Sequence, residues 1–202
     1  MPTPDALAPR TAHVRRATNE TAVEVRLALD GDRAYAHATG LGFLDHMLDL
    51  FARHGGFGLA VTCAGDLHVD DHHTAEDVGI ALGQAFREAL GDKAHVARYG
   101  HAYVPMDEAL ARAVVDLSGR AYTVFDAAFT REKVGDLSTE MVEHFWRSFA
   151  EHSAINLHVA LLYGTNAHHG AEAIFKAVAR ALRVAVARDA ANDPMPSTKG
   201  TI

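Results

Sequence analysis

The sequence predicts an α+β protein built from two similar β-β-α-β-α halves, each with a mixed sheet and with its helices packed on one face of that sheet. The histidine doublet His72-His73 recurs as His168-His169, 96 residues later. Each doublet begins an alanine-rich stretch with apolar residues at helical spacing. Residues 44–47 recur at an offset of 98, and the first strand-like runs recur at an offset of 88. Repetition of the same order of elements indicates a duplicated unit.

The first half begins with a strand-like run that ends at Asp30-Gly31-Asp32, a hairpin-type turn, so we expect the next run to return beside the first. Gly55 and Gly56 should end the first helix, and Asp70 or Asp71 is placed to cap the second. The expected elements are strands over 22–29, 35–38 and 59–64, a helix over 43–54, and a helix from the first doublet to about residue 90.

The second half repeats this order. Ser118 and Gly119 suggest a turn between two strands, and Ser138 is placed to cap a helix. The expected elements are strands over 103–106, 109–117, 122–125 and 155–162, a helix over 139–152, and a last helix from the second doublet to about residue 187. We therefore divide the chain into a flexible tail 1–11, halves 12–95 and 96–190 of one compact domain, and a C-terminal tail 191–202.

Composition excludes several classes of protein. The 202 residues are 49% hydrophobic, which is enough for a folded core, and the formal charge of −7 argues against nucleic-acid binding. No apolar run approaches the roughly 18 residues of a membrane span, and the N-terminus lacks signal-peptide features. The single cysteine, Cys63, is predicted to be a core residue in a reducing compartment. We therefore expect a cytoplasmic protein with neither a nucleic-acid partner nor a membrane.

The duplicated His-His-x-x-Glu pattern predicts metal binding. On a helix the glutamate can stand beside either histidine of its doublet, while the two adjacent histidines are splayed by about 100°. A lone histidine is usually structural, but two matching sets are improbable by chance. The candidate ligands are His46, His72, His73, Glu76, His144, His168, His169 and Glu172.

Six imidazoles and two carboxylates divide evenly into three histidines and one glutamate per ion. Such a set suits Mn, Fe, Co or Zn, and the lack of thiolates makes a structural zinc site less favoured. Asp45 and Glu143, next to His46 and His144, are either partners of those ligands or surface carboxylates.

Several basic and hydroxyl side chains could converge on a phosphate, although each alone is more simply explained as a solvated surface group. They are Arg98, Arg120, Lys176, Ser197 and Lys199.

Five ordered motifs are more specific. They are LDHML at 44–48, DDHHTAED at 70–77, DLSGR at 116–120, HHGAEA at 168–173 and PSTKG at 196–200. From about residue 12 to residue 202, the chain closely resembles the imidazoleglycerol-phosphate dehydratase family of histidine biosynthesis. That resemblance implies a fold like domain 2 of ribosomal protein S5, two Mn²⁺ ions per subunit held by the eight ligands, and a 24-subunit shell with active sites at subunit contacts.

The resemblance also implies residue roles. Glu20 lies where the family keeps an acid-base glutamate, and His72 and Glu172 join it as catalytic residues. The phosphate of the substrate is expected to contact His54, Arg98, Arg120, Lys176, Ser197 and Lys199, the last two in a substrate-binding tail. Many relatives carry glutamine where this chain has Leu50, which puts a polar contact there in doubt.

The implied reaction is the dehydration of imidazole glycerol phosphate to imidazole acetol phosphate through an imidazolate or diazafulvene-like intermediate. Two other hypotheses are a dimetal phosphoesterase or peptidase, and a non-catalytic metal-binding shell. Asp107 and Glu108, the internal counterparts of Asn19 and Glu20, could have a role in the second half. Trp146 is predicted to lie in the core or at a subunit contact, and the remaining histidines on the surface or in packing.

Overall fold

Two four-stranded sheets enclose four helices in the computed structural model, which describes residues 8–31, 33–188, 195, 197, 198 and 200. The first half contains β1 (Thr11–Ala17), β2 (Thr21–Ala28), β3 (Tyr35–Ala38), α1 (Gly42–Gly55), β4 (Gly58–Gly65) and α2 (His72–Leu90). The second contains β5 (Tyr99–Met106), β6 (Ala109–Asp116), β7 (Tyr122–Asp126), a small hairpin of β8 (Lys133–Val134) and β9 (Leu137–Ser138), α3 (Glu140–Ser153), β10 (Asn156–Tyr163) and α4 (Ala167–Ala185). The α+β class with two similar halves is confirmed.

The strand order is β1-β2-β4-β3 in one sheet and β5-β6-β10-β7 in the other. The expected hairpin between β2 and β3 is wrong, because β2 pairs with β1 and β4, and β3 runs parallel to β4. A parallel pair needs a crossover, which α1 supplies here and α3 supplies between β7 and β10. The structure thus adds β1 to the predicted unit, and β1 begins at Thr11, the last residue of the segment predicted as a tail.

At the N-termini of α2 and α3, one predicted capping residue accepts a backbone hydrogen bond and another does not. Asp70 Oδ1 accepts a hydrogen bond from the backbone N–H of His72 at 2.8 Å. Asp71 instead accepts from the backbone N–H and the hydroxyl of Ser138, so the predicted capping role of Ser138 is wrong. This contact ties the start of α2 to the strand that precedes α3.

The core lies between the two helical layers, where α2 packs on α3 and α1 packs on α4. Trp146 is fully buried there, 4.7 Å from Phe175 and 5.9 Å from Phe51 between ring centroids, as predicted for a core residue. A Cβ on Gly79 would lie 2.9 Å from the carbonyl oxygen of Phe145, so glycine lets α2 approach α3 closely. The histidines near the heads of these helices are brought together by this packing.

Within the described part of the chain, none of the helices is both long enough and apolar enough to cross a membrane.

Candidate metal centre

Two clusters of imidazole and carboxylate groups lie among the helices, and each draws on both halves of the chain. The first cluster joins His46 of α1 to His168 and Glu172 of α4. The Nε2 atoms of both histidines lie 2.9 Å from Oε1 of Glu172. Within the cluster, the three possible ligand atoms all lie within 4.8 Å of one another.

The second cluster joins His72 and Glu76 of α2 to His144 of α3. His144 Nε2 lies 3.0 Å from Glu76 Oε1, and the rings of His72 and His144 are 4.6 Å apart between centroids. Helical spacing of four residues aligns His72 with Glu76, as it aligns His168 with Glu172. Two imidazole nitrogens and one carboxylate oxygen at this spacing fit a divalent ion that prefers nitrogen and oxygen ligands.

The two clusters differ in their surroundings. Glu172 is 5% exposed, and burial raises its pKa, but hydrogen bonds from Lys176, His46 and His168 outweigh burial and bring the pKa to about 2. The Nζ of Lys176 lies 2.5 Å from Glu172 Oε2. Glu76 is only half-buried, and a hydrogen bond from His144 lowers its pKa. Both carboxylates are therefore held ionised, the form that binds a cation.

The other histidine of each doublet points elsewhere. The two rings of the first doublet are inclined at 79° and those of the second at 90°. Among the described residues, His73 and His169 join neither cluster, so one chain contributes two histidines and one glutamate per cluster rather than the expected three and one. The third histidine of each predicted set lies outside it within a single chain.

His73 is held by a pair of acidic residues. Its Nδ1 lies 3.0 Å from Asp66 Oδ2, and its Nε2 lies 3.7 Å from Oε1 of Glu20. The backbone of Glu20 is fixed on both sides, because its N–H donates to Thr18 Oγ1 at 3.1 Å and its carbonyl accepts from the Asp66 N–H at 3.1 Å. Its side chain is 53% exposed. We did not predict the contact between Asp66 and His73, although the sequence places Asp66 directly after β4.

His169 is held differently. Its Nδ1 lies 2.7 Å from Oε2 of Glu108, and its Nε2 lies 3.8 Å from Asp107 Oδ2. The other oxygen of Glu108 accepts from the backbone N–H groups of Thr165 at 3.2 Å and Asn166 at 2.7 Å. The hydrogen bond from His169, followed by those from the amides, lowers the pKa of Glu108 to about 2. Glu108 is thus a fixed carboxylate.

The remaining acidic neighbours of the clusters have structural partners. Asp45 accepts hydrogen bonds from the backbone N–H and the hydroxyl of Thr39 at 2.9 and 2.8 Å. Glu143 pairs with Arg147 one turn later. These contacts favour the interpretation of both as structural or surface carboxylates.

The candidate phosphate contacts are spread over the chain. Arg98 binds Asp116 through Nε at 2.8 Å and stacks over Tyr99. Its backbone N–H donates to the carbonyl of Ala185 at the end of α4, nine residues beyond Lys176, which corresponds to about 13 Å of helix. Within one chain, Arg98 therefore lies at the C-terminal end of α4, whereas Lys176 lies at the middle of that helix.

Of the other predicted phosphate contacts, only His54 is related to Lys176 within the described part of the chain. Burial, followed by the positive charges of Lys176 and Arg180, holds the pKa of His54 below its usual value, so His54 lies within electrostatic range of Lys176. Arg120 is exposed after the turn at Ser118, and the backbone carbonyl of Ser197 accepts from the Gly200 N–H at 3.0 Å. Lys199 and most of the predicted tails lie outside the described residues. Leu50 packs against the core.

Comparison with known proteins gives one family. The family model described as imidazoleglycerol-phosphate dehydratase matches residues 39–182. An imidazoleglycerol-phosphate dehydratase of Salinibacter ruber is 63% identical over 202 residues, which is all of both chains. One of Lacticaseibacillus casei is 55% identical over 96% of this chain and 100% of its own length.

Solved structures agree with the sequence comparison. The crystal structure of imidazoleglycerol-phosphate dehydratase from Staphylococcus aureus is similar with a TM-score of 0.81 and 42% identity, over 89% of this chain and 99% of that one. The enzyme from Pyrococcus furiosus, crystallised with (S)-C348, is similar with a TM-score of 0.80 and 35% identity, over 94% and 100% of the two chains.

Proposed function

The chain belongs to the imidazoleglycerol-phosphate dehydratase family, and from that premise we propose how its residues carry out the reaction. It is a hydro-lyase that removes water from imidazole glycerol phosphate in histidine biosynthesis. The observation that carries the mechanism is the pair of histidine-glutamate clusters, together with an exposed glutamate, Glu20, that lies 3.7 Å from His73.

The donor set of each cluster fits a divalent transition metal, and we propose one Mn²⁺ per cluster and two per subunit. The ligands would be His46, His168 and Glu172 in one cluster and His72, Glu76 and His144 in the other. Bound metal would supply Lewis-acid stabilisation of negative charge that develops on the substrate's imidazole ring. His72 and Glu172 would contribute to catalysis as members of these clusters.

Glu20 is the proposed acid-base residue. Dehydration requires expulsion of hydroxide from the carbon attached to the imidazole ring and removal of a proton from the next carbon, which gives an enol that tautomerises to the ketone. The carboxylate of Glu20 is exposed while its backbone is held at both the N–H and the carbonyl. A side chain with this freedom can take the proton from carbon and return one to the leaving oxygen, provided that it lies within reach of the substrate.

Complete sites are proposed to form between subunits of a 24-subunit shell. His73 and His169 lie outside the clusters of their own chain and would each complete a cluster of a neighbour, giving three histidines and one glutamate per ion. The same arrangement would bring Arg98, Arg120, Ser197 and Lys199 to a phosphate near His54 and Lys176. A cytoplasmic location and the division into halves 12–95 and 96–190 stay predictions from the sequence.

The proposal is tested with protein stripped of metal by chelation, then reloaded with Mn²⁺ and given imidazole glycerol phosphate. We expect imidazole acetol phosphate as the product, two ions per chain by elemental analysis, and a particle of 24 chains by light scattering. Release of inorganic phosphate would instead favour a phosphoesterase. Metal binding without turnover would favour a storage or structural shell.

A further inference from the structure

A buried polar group anchors the loop that carries Glu20. The hydroxyl of Thr21 donates to Oδ2 of Asp77, and Arg16 forms an ion pair with the same oxygen. Thr21 is 3% exposed and Asp77 5% exposed. The backbone N–H of Thr21 donates in turn to Thr18 Oγ1 at 3.0 Å, the same oxygen that accepts from the Glu20 N–H. Arg16, Thr21 and Asp77, here named the Asp77 anchor, therefore hold both ends of the turn around Glu20.

The other half of the molecule has no such group at the corresponding positions. At the offset of 88 that relates β1 and β2 to β5 and β6, Arg16 corresponds to Val104 and Thr21 to Ala109. At the offset of 96 that relates the histidine doublets, Asp77 corresponds to Ala173. All three apolar residues are buried. The same fold therefore forms in the second half without the polar group.

Burial of a carboxylate carries a large free-energy cost unless hydrogen bonds and a counter-charge offset it. An apolar set occupies the equivalent space in the second half, so the fold does not require this cost. The polar set lies in the half whose glutamate has a free side chain. Asp77 also follows Glu76 directly on α2, so one turn of helix presents Glu76 to a cluster and Asp77 to the loop of Glu20.

We propose that Arg16, Thr21 and Asp77 are positioning residues that set the place of Glu20 beside His73, and so at the metal site that His73 is proposed to complete. The proposal rests on the acid-base role proposed for Glu20. The anchor holds the backbone of the turn and leaves the carboxylate free to move over the short distance that proton transfer needs. Without the anchor, Glu20 would be present but less often within reach of the substrate.

Thr21→Val tests the anchor, because valine has nearly the shape of threonine but no hydroxyl. We expect kcat to fall about 10- to 100-fold, with KM and the metal content unchanged. Proton removal should become more rate-limiting, so the deuterium isotope effect on kcat should rise when the substrate is labelled at the second side-chain carbon from its ring, the one that loses the proton. Thr21→Ser restores the donor and should return kcat to within about threefold of the native value.

Val104→Ala is the matched control, since Val104 occupies the place of Arg16 in the other half. This variant should lose stability while kcat stays within twofold of the native value. Arg16→Met removes the ion pair to Asp77 at a side chain that is itself partly exposed, and it serves as the second variant if Thr21→Val does not fold. An unchanged kcat and isotope effect in whichever of the two variants folds would overturn the proposal.

A double-variant measurement separates this proposal from the role of Glu20. Because the anchor acts through Glu20, Thr21→Val should cause no further loss in a Glu20→Gln background. Multiplied losses would show that Thr21 acts on something else and would overturn the anchor alone. A native rate in Glu20→Gln itself would remove Glu20 from the mechanism and the anchor with it.

Discussion

Each half places a glutamate beside a histidine, but the two glutamates differ in their hydrogen bonds. In the first half Glu20 lies 3.7 Å from His73, and among the described residues its carboxylate accepts no hydrogen bond. In the second half Glu108 lies 2.7 Å from His169 and also accepts two backbone N–H groups. Duplication therefore left one carboxylate exposed and fixed the other as part of the scaffold.

The length of one loop accounts for the difference. Six residues, 66–71, connect β4 to the first doublet, whereas four residues, 164–167, connect β10 to the second. The shorter loop brings the amides of Thr165 and Asn166 onto Glu108. The longer loop supplies Asp66, which holds His73 in place of a glutamate. The change of offset from 98 to 96 is visible in the sequence, but its effect on Glu108 requires the folded chain.

The largest expected effect separates the two glutamates. Glu20→Gln should lower kcat at least about 100-fold, because it removes the proposed acid-base group, and should leave metal content and thermal stability unchanged. Glu108→Gln should weaken metal binding about 10-fold, because it loosens His169, and should restore most of its kcat at saturating Mn²⁺. Steady-state kinetics and metal titration of both variants make the comparison. An equal loss of kcat in both, with metal retained, would mean that the halves do equivalent work.

A second, smaller contrast concerns Arg10 and Arg98, which correspond at the offset of 88. Arg10 is buried against Asp30 at 2.8 Å, whereas Arg98 is the proposed phosphate contact. Arg98→Lys should raise KM about 10-fold. Arg10→Lys should leave KM unchanged and lower the free energy of unfolding by about 2 kcal/mol, because a bidentate, charge-assisted contact is lost.

The ion pair between Arg10 and Asp30 predicts how stability depends on pH. The hydrogen bond from Arg10 is the main cause that lowers the pKa of Asp30 below its ordinary value of 3.8. A lowered carboxyl pKa stabilises the folded state above the unfolded pKa, and this contribution is lost as the pH falls through the folded pKa. The stability difference between the native protein and Asp30→Asn should therefore be constant above about pH 5 and shrink below pH 3.8, as measured by urea unfolding. A difference that grew on acidification would contradict this assignment.

The smallest expected effect is at Cys63, which occupies the place of Leu161 in the other half. Burial raises the pKa of its thiol to about 11. At pH 8 iodoacetamide should therefore label the folded protein about 100-fold more slowly than the unfolded protein, as followed by mass spectrometry. Cys63→Val should change the free energy of unfolding by less than about 1 kcal/mol. Rapid labelling of the folded chain would show that this strand opens more readily than its counterpart.

The helices were predictable from sequence because their signals are local. Apolar residues spaced three or four apart identified all four of the described helices. The same spacing aligned Glu76 with His72 and Glu172 with His168. β1 was missed because its seven residues, TAHVRRA, place only one fully buried side chain on the core. The pairing of β3 with β4 depends on a crossover rather than on the turn before β3, so the turn signal was misleading.

All six residues of the clusters were among the predicted ligands, but their division between the two clusters could not be predicted, since it depends on contacts between distant parts of the chain. His46 and Glu172 lie 126 residues apart in sequence, and only the packing of α1 on α4 brings them together. In the sequence, Asp77 was only the last residue of the motif at 70–77. Its contact with Thr21, 56 residues earlier, could not be predicted.

Each cluster takes its lone histidine from one half and its helical histidine-glutamate pair from the other. A half-length ancestor could therefore have closed such a cluster only by associating with a second copy of itself. Joining the copies end to end turned an encounter that depended on concentration into one that happens in every molecule. It also gave each copy its own gene segment, so that Glu20 and Glu108 could diverge where a symmetric pair could not.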